Sequence, residues 1–187
     1  MLWITKIRNV LCENGFEQVW LFGCGQEKPF FNELRERLYS SFSYNWYNHL
    51  ENSVRFSSYK QYKNCFEKEK YVDIIKVNIY RNAIAQFRMG VSNINSHKYR
   101  YSDNQQNWNC PFCTDTTETE THFLFECQVY DDVRSRYFYN SINIDCSTNP
   151  NLKFIGNLSE ETVFDFAKFL FYAFKLRAEK LNSVRNT

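Results

Sequence analysis

The sequence predicts an all-α fold, an irregular helical domain with an embedded structural zinc knuckle. Three observations lead there. Breakers are scarce, with five glycines and three prolines in 187 residues, which favours long helical segments over a turn-rich β architecture. Apolar residues recur at three- and four-residue spacings through several of those segments, the period of a helix face. Three cysteines and a histidine also crowd into the polar stretch between Cys110 and Cys127.

Taken in order, Trp3, Ile7, Val10 and Leu11 fall at helical spacing, and Gly15 supplies a stop. A short apolar piece over 16–22 leads into a loop punctuated by Gly23, Gly25 and Pro29. Phe31, Leu34, Leu38, Phe42, Trp46 and Leu50 form one stripe of a helix over 30–50. A break over 52–58 precedes a further helical stretch around 59–66. The next helix spans 72–89 and ends at Gly90. Ile74, Val77 and Ile84 share one face of it, with Arg81 and Arg88 close to the same line. Residues 93–109 are polar and irregular. A helix over 130–139, a turn-rich linker over 140–150 and a short helix over 152–158 follow the cysteines. Ser159 then caps a long last helix, with Glu160 and Glu161 in its first turn, where the helix dipole favours anions. That helix is apolar nearly all round, so it is either central to the core or docked against a partner. The expected organisation is a helical region over 1–95, a knuckle module over 96–140, and a linker with the C-terminal helix over 141–187 packed on the same core.

Composition narrows the classes. Hydrophobic residues at 43% and charged residues at 24% are those of a globular chain, and most of the abundant aromatics are expected in its core. A formal charge of +2 is a weak footprint for a nucleic-acid binder, so any polyanion contact must come from local clustering. No secretory signal opens the chain, and thiols are expected reduced, in a nuclear or cytoplasmic setting. The most apolar run, 163–176, contains Asp165, Lys168 and Lys175 and is too short to span a bilayer, so no membrane partner is expected. Cys12, Cys24, Cys65 and Cys146 are expected in or near the core.

The cysteine stretch carries the chemistry. Cys110 and Cys113, two residues apart around Pro111, can bite one metal from a tight turn, and His122 and Cys127 can close a tetrahedron from a short helix. Thr117 and Glu120 read as a capping box opening that helix. Residues five apart stand about 140° apart on an ideal helix, so it must end or bend near Glu126 for both to face one ion. Four protein ligands leave no open position, so zinc(II) here is structural. The intervening loop, 114–121, has no apolar residue and no reason to be buried. Two alternatives compete, an iron–sulfur site and a redox pair. Cys-Pro-Phe-Cys looks like a glutaredoxin active site, but that chemistry wants its first cysteine at a helix N-terminus after a strand, and acidic residues follow here instead.

Asp115, Glu118, Glu120, Glu126, Asp131 and Asp132 make the knuckle itself acidic, and basic residues flank it. Arg81 and Arg88 beside an apolar stripe need partners, and Asp131 and Asp132 are expected to supply them. Lys98, Tyr99, Arg100 and Tyr101, together with Arg136, are the candidate nucleic-acid surface, since cations suit the backbone and rings suit the bases. No catalytic constellation is visible; His49 and His97 are isolated in the sequence, and no phosphate-binding glycine loop is present.

Tyr80-Arg81-Asn82-Ala83-Ile84-Ala85-Gln86-Phe87-Arg88-Met89-Gly90, then Cys110-Pro111-Phe112-Cys113, then Glu120-Thr121-His122-Phe123-Leu124-Phe125-Glu126-Cys127, then Tyr130 and Arg134, follow in an order that resembles the C-terminal, post-polymerase segment of non-LTR retrotransposon reverse transcriptases. Trp3, Ile7, Gly15-Phe16 and Val19-Trp20 look like the region just upstream in such elements. The resemblance implies a Cys-Cys-His-Cys knuckle and a tail that holds template RNA or target DNA. Such segments usually carry proline after the last cysteine, where this chain has Gln128. No Tyr-x-Asp-Asp polymerase motif and no nuclease carboxylate set is present, so this chain is expected to be no enzyme by itself. The competing expectation is a protein-interaction module whose zinc only stabilises the fold and whose apolar last helix is the docking surface.

Overall fold

A computed structural model describes residues 3–63, 65–139 and 152–185, and these form an all-α fold. The one β pairing among the described residues is a single antiparallel bridge between Asn109 and Thr117. The chain divides into two compact units, Met1–Asn52 and Ser53–Thr187. The division therefore falls well before the expected boundary at 95/96, and the described residues of 53–95, the knuckle and the last helix share one core. The linker over 140–150, with Cys146, lies outside the described residues. No helix among the described residues is long and apolar enough to cross a membrane.

The first unit holds α1 (Trp3–Glu13), α2 (Glu17–Phe22) and α3 (Glu27–Asn52). Gly15, at φ +78°, ends α1 as the sequence predicts. The Phe16 N–H reaches the Leu11 carbonyl at 2.8 Å and the Gly15 N–H reaches Cys12 at 3.1 Å, the paired bonds of a Schellman cap. Phe16 packs edge-on against Phe30 at 5.4 Å, and the Arg37 guanidinium lies over its ring at 4.6 Å. The expected stripe of α3 is largely unburied within this unit, with Phe31 56% and Phe42 60% exposed. Length explains it: 26 residues make a rod of about 39 Å, whereas α1 and α2, of 11 and 6 residues, are far too short to cover it.

The second unit is built around α8 (Glu160–Arg185), which packs against α4 (Lys70–Ile74), α5 (Asn78–Arg88) and α7 (Asp131–Tyr137). Ser159 caps α8, its Oγ accepting the Thr162 N–H at 3.2 Å. Val163, Phe166, Ala167, Phe169, Leu170 and Ala173 are all buried, so the apolar helix is the centre of the core. Phe164, Phe171 and Phe174 of the same helix are half-buried.

Two segments differ from expectation. The helix expected over 72–89 is two, α4 and α5, separated by extended backbone at Ile75 (ψ 98°) and Val77 (ψ 112°). The β-branched cluster Ile74, Ile75 and Val77 is poor helix former, and the break drives Ile75 into the core while Val77 stays 43% exposed. The helix expected over 59–66 is replaced by single 3₁₀ turns, Val54–Phe56 and Tyr59–Gln61. Leaving the helix there frees the Tyr62 carbonyl to accept from Arg88 at 3.2 Å. The helix expected over 130–139 is present as α7, preceded by a 3₁₀ turn over Gln128–Tyr130. Gly90 does end α5: at φ +61° it carries a second Schellman pair, Val91 N–H to Gln86 at 2.9 Å and Gly90 N–H to Phe87 at 3.0 Å.

Aromatic rings join these parts. Phe123 meets Phe87 of α5 and Phe169 of α8, each at 6.0 Å between centroids, and Phe138 meets Phe169 at 4.9 Å. Phe123→Ala should therefore cost about 3–5 kcal/mol in urea unfolding of the protein. Phe42→Ala, on the exposed face of α3, should leave the unfolding free energy within about 0.5 kcal/mol of the parent.

Candidate metal centre

The first two ligands are set by a chain reversal. The Cys110 N–H donates to the Thr116 carbonyl at 2.7 Å, and the Glu118 N–H to Trp108 at 2.7 Å, on either side of the Asn109–Thr117 bridge. Asp115 turns the chain at φ +54°, a left-handed conformation that Asp adopts more readily than most side chains. Thr119, rather than the expected Thr117, opens the helical piece that follows, its Oγ1 accepting the His122 N–H at 3.1 Å. Thr117 is held in the bridge instead, and Glu120 turns away to other partners.

His122–Glu126 is a π-helical turn, and the Cys127 N–H donates to the His122 carbonyl at 2.9 Å. A bond across five residues brings residue 127 back over residue 122, which removes the mismatch of about 140° that a straight α-helix would impose. Cys127 itself is extended, at φ −67° and ψ 113°. The helix thus ends where the sequence required, by a turn it did not announce.

The ligand atoms of Cys110, Cys113, His122 and Cys127 all lie within 4.8 Å of one another, a group that could hold a metal ion. Cys127 Sγ stands 3.9 Å from Cys110 Sγ and 3.7 Å from Cys113 Sγ. The Glu126 carboxylate lies 3.3 Å from His122 Nδ1, while His122 Nε2 is buried without a hydrogen-bond partner. A carboxylate on one ring nitrogen fixes the tautomer and frees the other for a metal. The nearby Cys127 thiol holds the Cys110 thiol below the usual range, and in the same contact Cys110 pushes Cys127 up. Cys110 heads a turn and follows no strand, so the helix-N-terminus geometry of a redox pair is missing.

Buried charges brace the knuckle. Arg134, fully buried, donates to the carbonyls of Phe123 and Cys127 and pairs with Asp131 at 2.6 Å. It therefore holds the backbone of a ligand. Arg177 of α8 donates to Glu118 at 2.8 Å, to the Asn95 side chain at 3.0 Å and to the Asn93 carbonyl at 3.0 Å. Burial pushes the Glu118 carboxyl up to about 7, with Arg177 pulling it back. Burial would raise Glu120 as well, but bonds from His97 and Ser58 outweigh it and hold the carboxyl low.

These contacts correct the expected ion pairing. Arg88 pairs with Glu69 at 3.1 Å, and Arg81 bonds to Asn78 and to the Val72 carbonyl. Asp131 belongs to Arg134, and Asp132 lines a cleft with Arg136 and Lys175. The polar loop is also not simply solvated, because Glu118 is fully buried. His97 is not isolated: it is buried, with Nδ1 2.7 Å from Ser92 Oγ and Nε2 2.9 Å from Glu120. His49 is exposed on α3, 2.9 Å from the Asn45 carbonyl. Cys12, Cys24 and Cys65 are half-buried free thiols.

Of the nucleic-acid candidates, Lys98, Tyr99, Arg100 and Tyr101 stand together at the end of α6 (Asn95–Lys98). The Lys98 ammonium lies 4.9 Å over Tyr99, the Arg100 guanidinium 6.0 Å over Tyr101, and Tyr101 is 71% exposed. Arg136 lines a different cleft, with Tyr172 and Glu179. Arg177 was missed by sequence reasoning, yet a signal existed: it falls seven residues after Leu170, on the buried line of α8.

No protein-family model matches the chain, and neither does any curated protein or solved structure.

Arg177→Met leaves Glu118 buried without its charge partner and should cost about 3–5 kcal/mol of stability by urea titration. Adding Glu118→Leu should recover most of that loss, because an apolar pair tolerates burial where a lone carboxylate does not.

Proposed function

We propose that the unit Ser53–Thr187 is a zinc-stabilised, non-catalytic nucleic-acid-binding module, and that it serves as the tail of a retroelement reverse transcriptase, gripping template RNA or target DNA. Zinc is supported by the sulfur separations. Ligands about 2.3 Å from a tetrahedral centre lie about 3.8 Å apart, and the observed values are 3.7 and 3.9 Å. Three thiolates and a buried, unpartnered imidazole nitrogen are a structural zinc shell with no position left for water. The retroelement assignment rests on the order of the sequence motifs described above.

The observation that carries nucleic-acid binding is the ridge from Lys98 to Tyr101, two cation–ring pairs side by side next to the knuckle. Cations meet phosphates and rings take bases. The acidity of the knuckle does not oppose this. Glu118, Glu120 and Asp131 are each paired to a cation or to an imidazole within the unit.

Native mass spectrometry of protein purified without added metal should show one zinc per chain, lost in Cys127→Ser. Fluorescence anisotropy with labelled RNA and DNA should show binding that weakens as salt rises, and Lys98→Ala with Arg100→Ala should lower the salt slope by about 2. Binding that ignores salt, or none, would remove the nucleic-acid reading.

A further inference from the structure

We propose that the cleft between α6 and the C-terminal half of α8 is a pocket for one unstacked nucleobase, so that the strand this module grips is single-stranded. The inference rests on the nucleic-acid reading above and adds to it the strandedness and the residues that read the base.

The cleft has a volume of about 450 Å³, inside the range of about 300–1,000 Å³ usual for small-ligand sites. Its floor is one face of α8, where Phe174, Ala178 and Leu181 recur at helical spacing. Phe174 is itself fixed by stacking on Phe123 at 5.4 Å, so it is a rigid apolar wall. Tyr99 lines the same cleft, with the Lys98 ammonium over its ring.

The polar lining is unusual. It is made of carboxamides and cations, and it contains no Asp or Glu. The side chains of Asn93, Gln106 and Asn182 are exposed and form no hydrogen bond among the described residues. Each offers a donor and an acceptor, the combination that pairs with base edges. Arg177, also in the lining, is almost wholly buried and keeps one guanidinium nitrogen, Nη1, without a partner. By contrast, the cleft at Arg136 sets Asp132 and Glu179 against Arg136 and Lys175, so its charges balance within the cleft. A duplex keeps its base edges stacked and paired, whereas an unpaired strand can offer one base to a ring and to carboxamides.

The test compares labelled single-stranded RNA, DNA of the same sequence and the corresponding duplex by anisotropy, against the parent and Asn93→Ala/Gln106→Ala/Asn182→Ala. These three side chains are exposed, so the variant should keep its zinc and its helical circular dichroism. The parent should prefer at least one single strand over duplex, and the variant should lose about tenfold of that affinity with duplex binding and salt slope unchanged. Equal affinity for strand and duplex, or a variant that weakens both alike or neither, overturns the pocket and leaves the nucleic-acid reading standing. Absence of binding to all three overturns both.

Discussion

Three thiol sulfurs and an imidazole nitrogen held within 4.8 Å of one another are the constraint around which the second unit is arranged. Sulfurs this close repel as thiolates unless a cation sits among them. The backbone is bent to make the approach possible. A reversal at Asp115 brings Cys110 and Cys113 onto one side, and a π turn returns Cys127 over His122. Arg134 then pins the Cys127 carbonyl from behind, and Phe123, inside the π turn, enters the aromatic core between α5 and α8. The thiol–imidazole cluster and the core are therefore one object, with the candidate metal ligands and the packed rings interleaved along the same few residues.

The buried ion pairs show how an acidic knuckle is compatible with the polyanion-binding surface proposed above. Glu118, the most buried carboxylate of the loop, faces Arg177 of the central helix, and Glu120 faces His97. These acids point into the unit, where they fasten the knuckle to α6 and α8. Lys98 and Tyr101 are exposed, Tyr99 and Arg100 half-buried, and Lys98 and Tyr99 line a cleft free of carboxylates. A net charge of only +2 is thus compatible with a locally positive face, because part of the acidity is consumed by the fold.

What was legible in the sequence was local. The cluster of four side chains that could hold a metal could be read from residue type and spacing, Gly15 and Gly90 from their role as left-handed helix stops, and Ser159 from its cap. All-α character followed from few breakers and helical spacing. What was not legible depended on partners distant in sequence. Nothing in the loop announces that Glu118 is buried, since its partner Arg177 is far along the chain. The pairing of Arg88 with Glu69, which precedes α4, instead of with Asp131 or Asp132 depends on how the chain folds back on α5, and spacing does not reveal that. The stripe on α3 had the right period, yet periodicity cannot say whether neighbouring helices are long enough to cover it.

Amide hydrogen exchange on the protein with zinc added and on the same protein after chelation would test the central claim most directly, that the thiol–imidazole cluster and the aromatic core stand or fall together. The account predicts that removing the ion abolishes protection in Asn78–Arg88 and Glu160–Arg185 along with the π turn. Retained protection in those two helices after the ion has gone would contradict it.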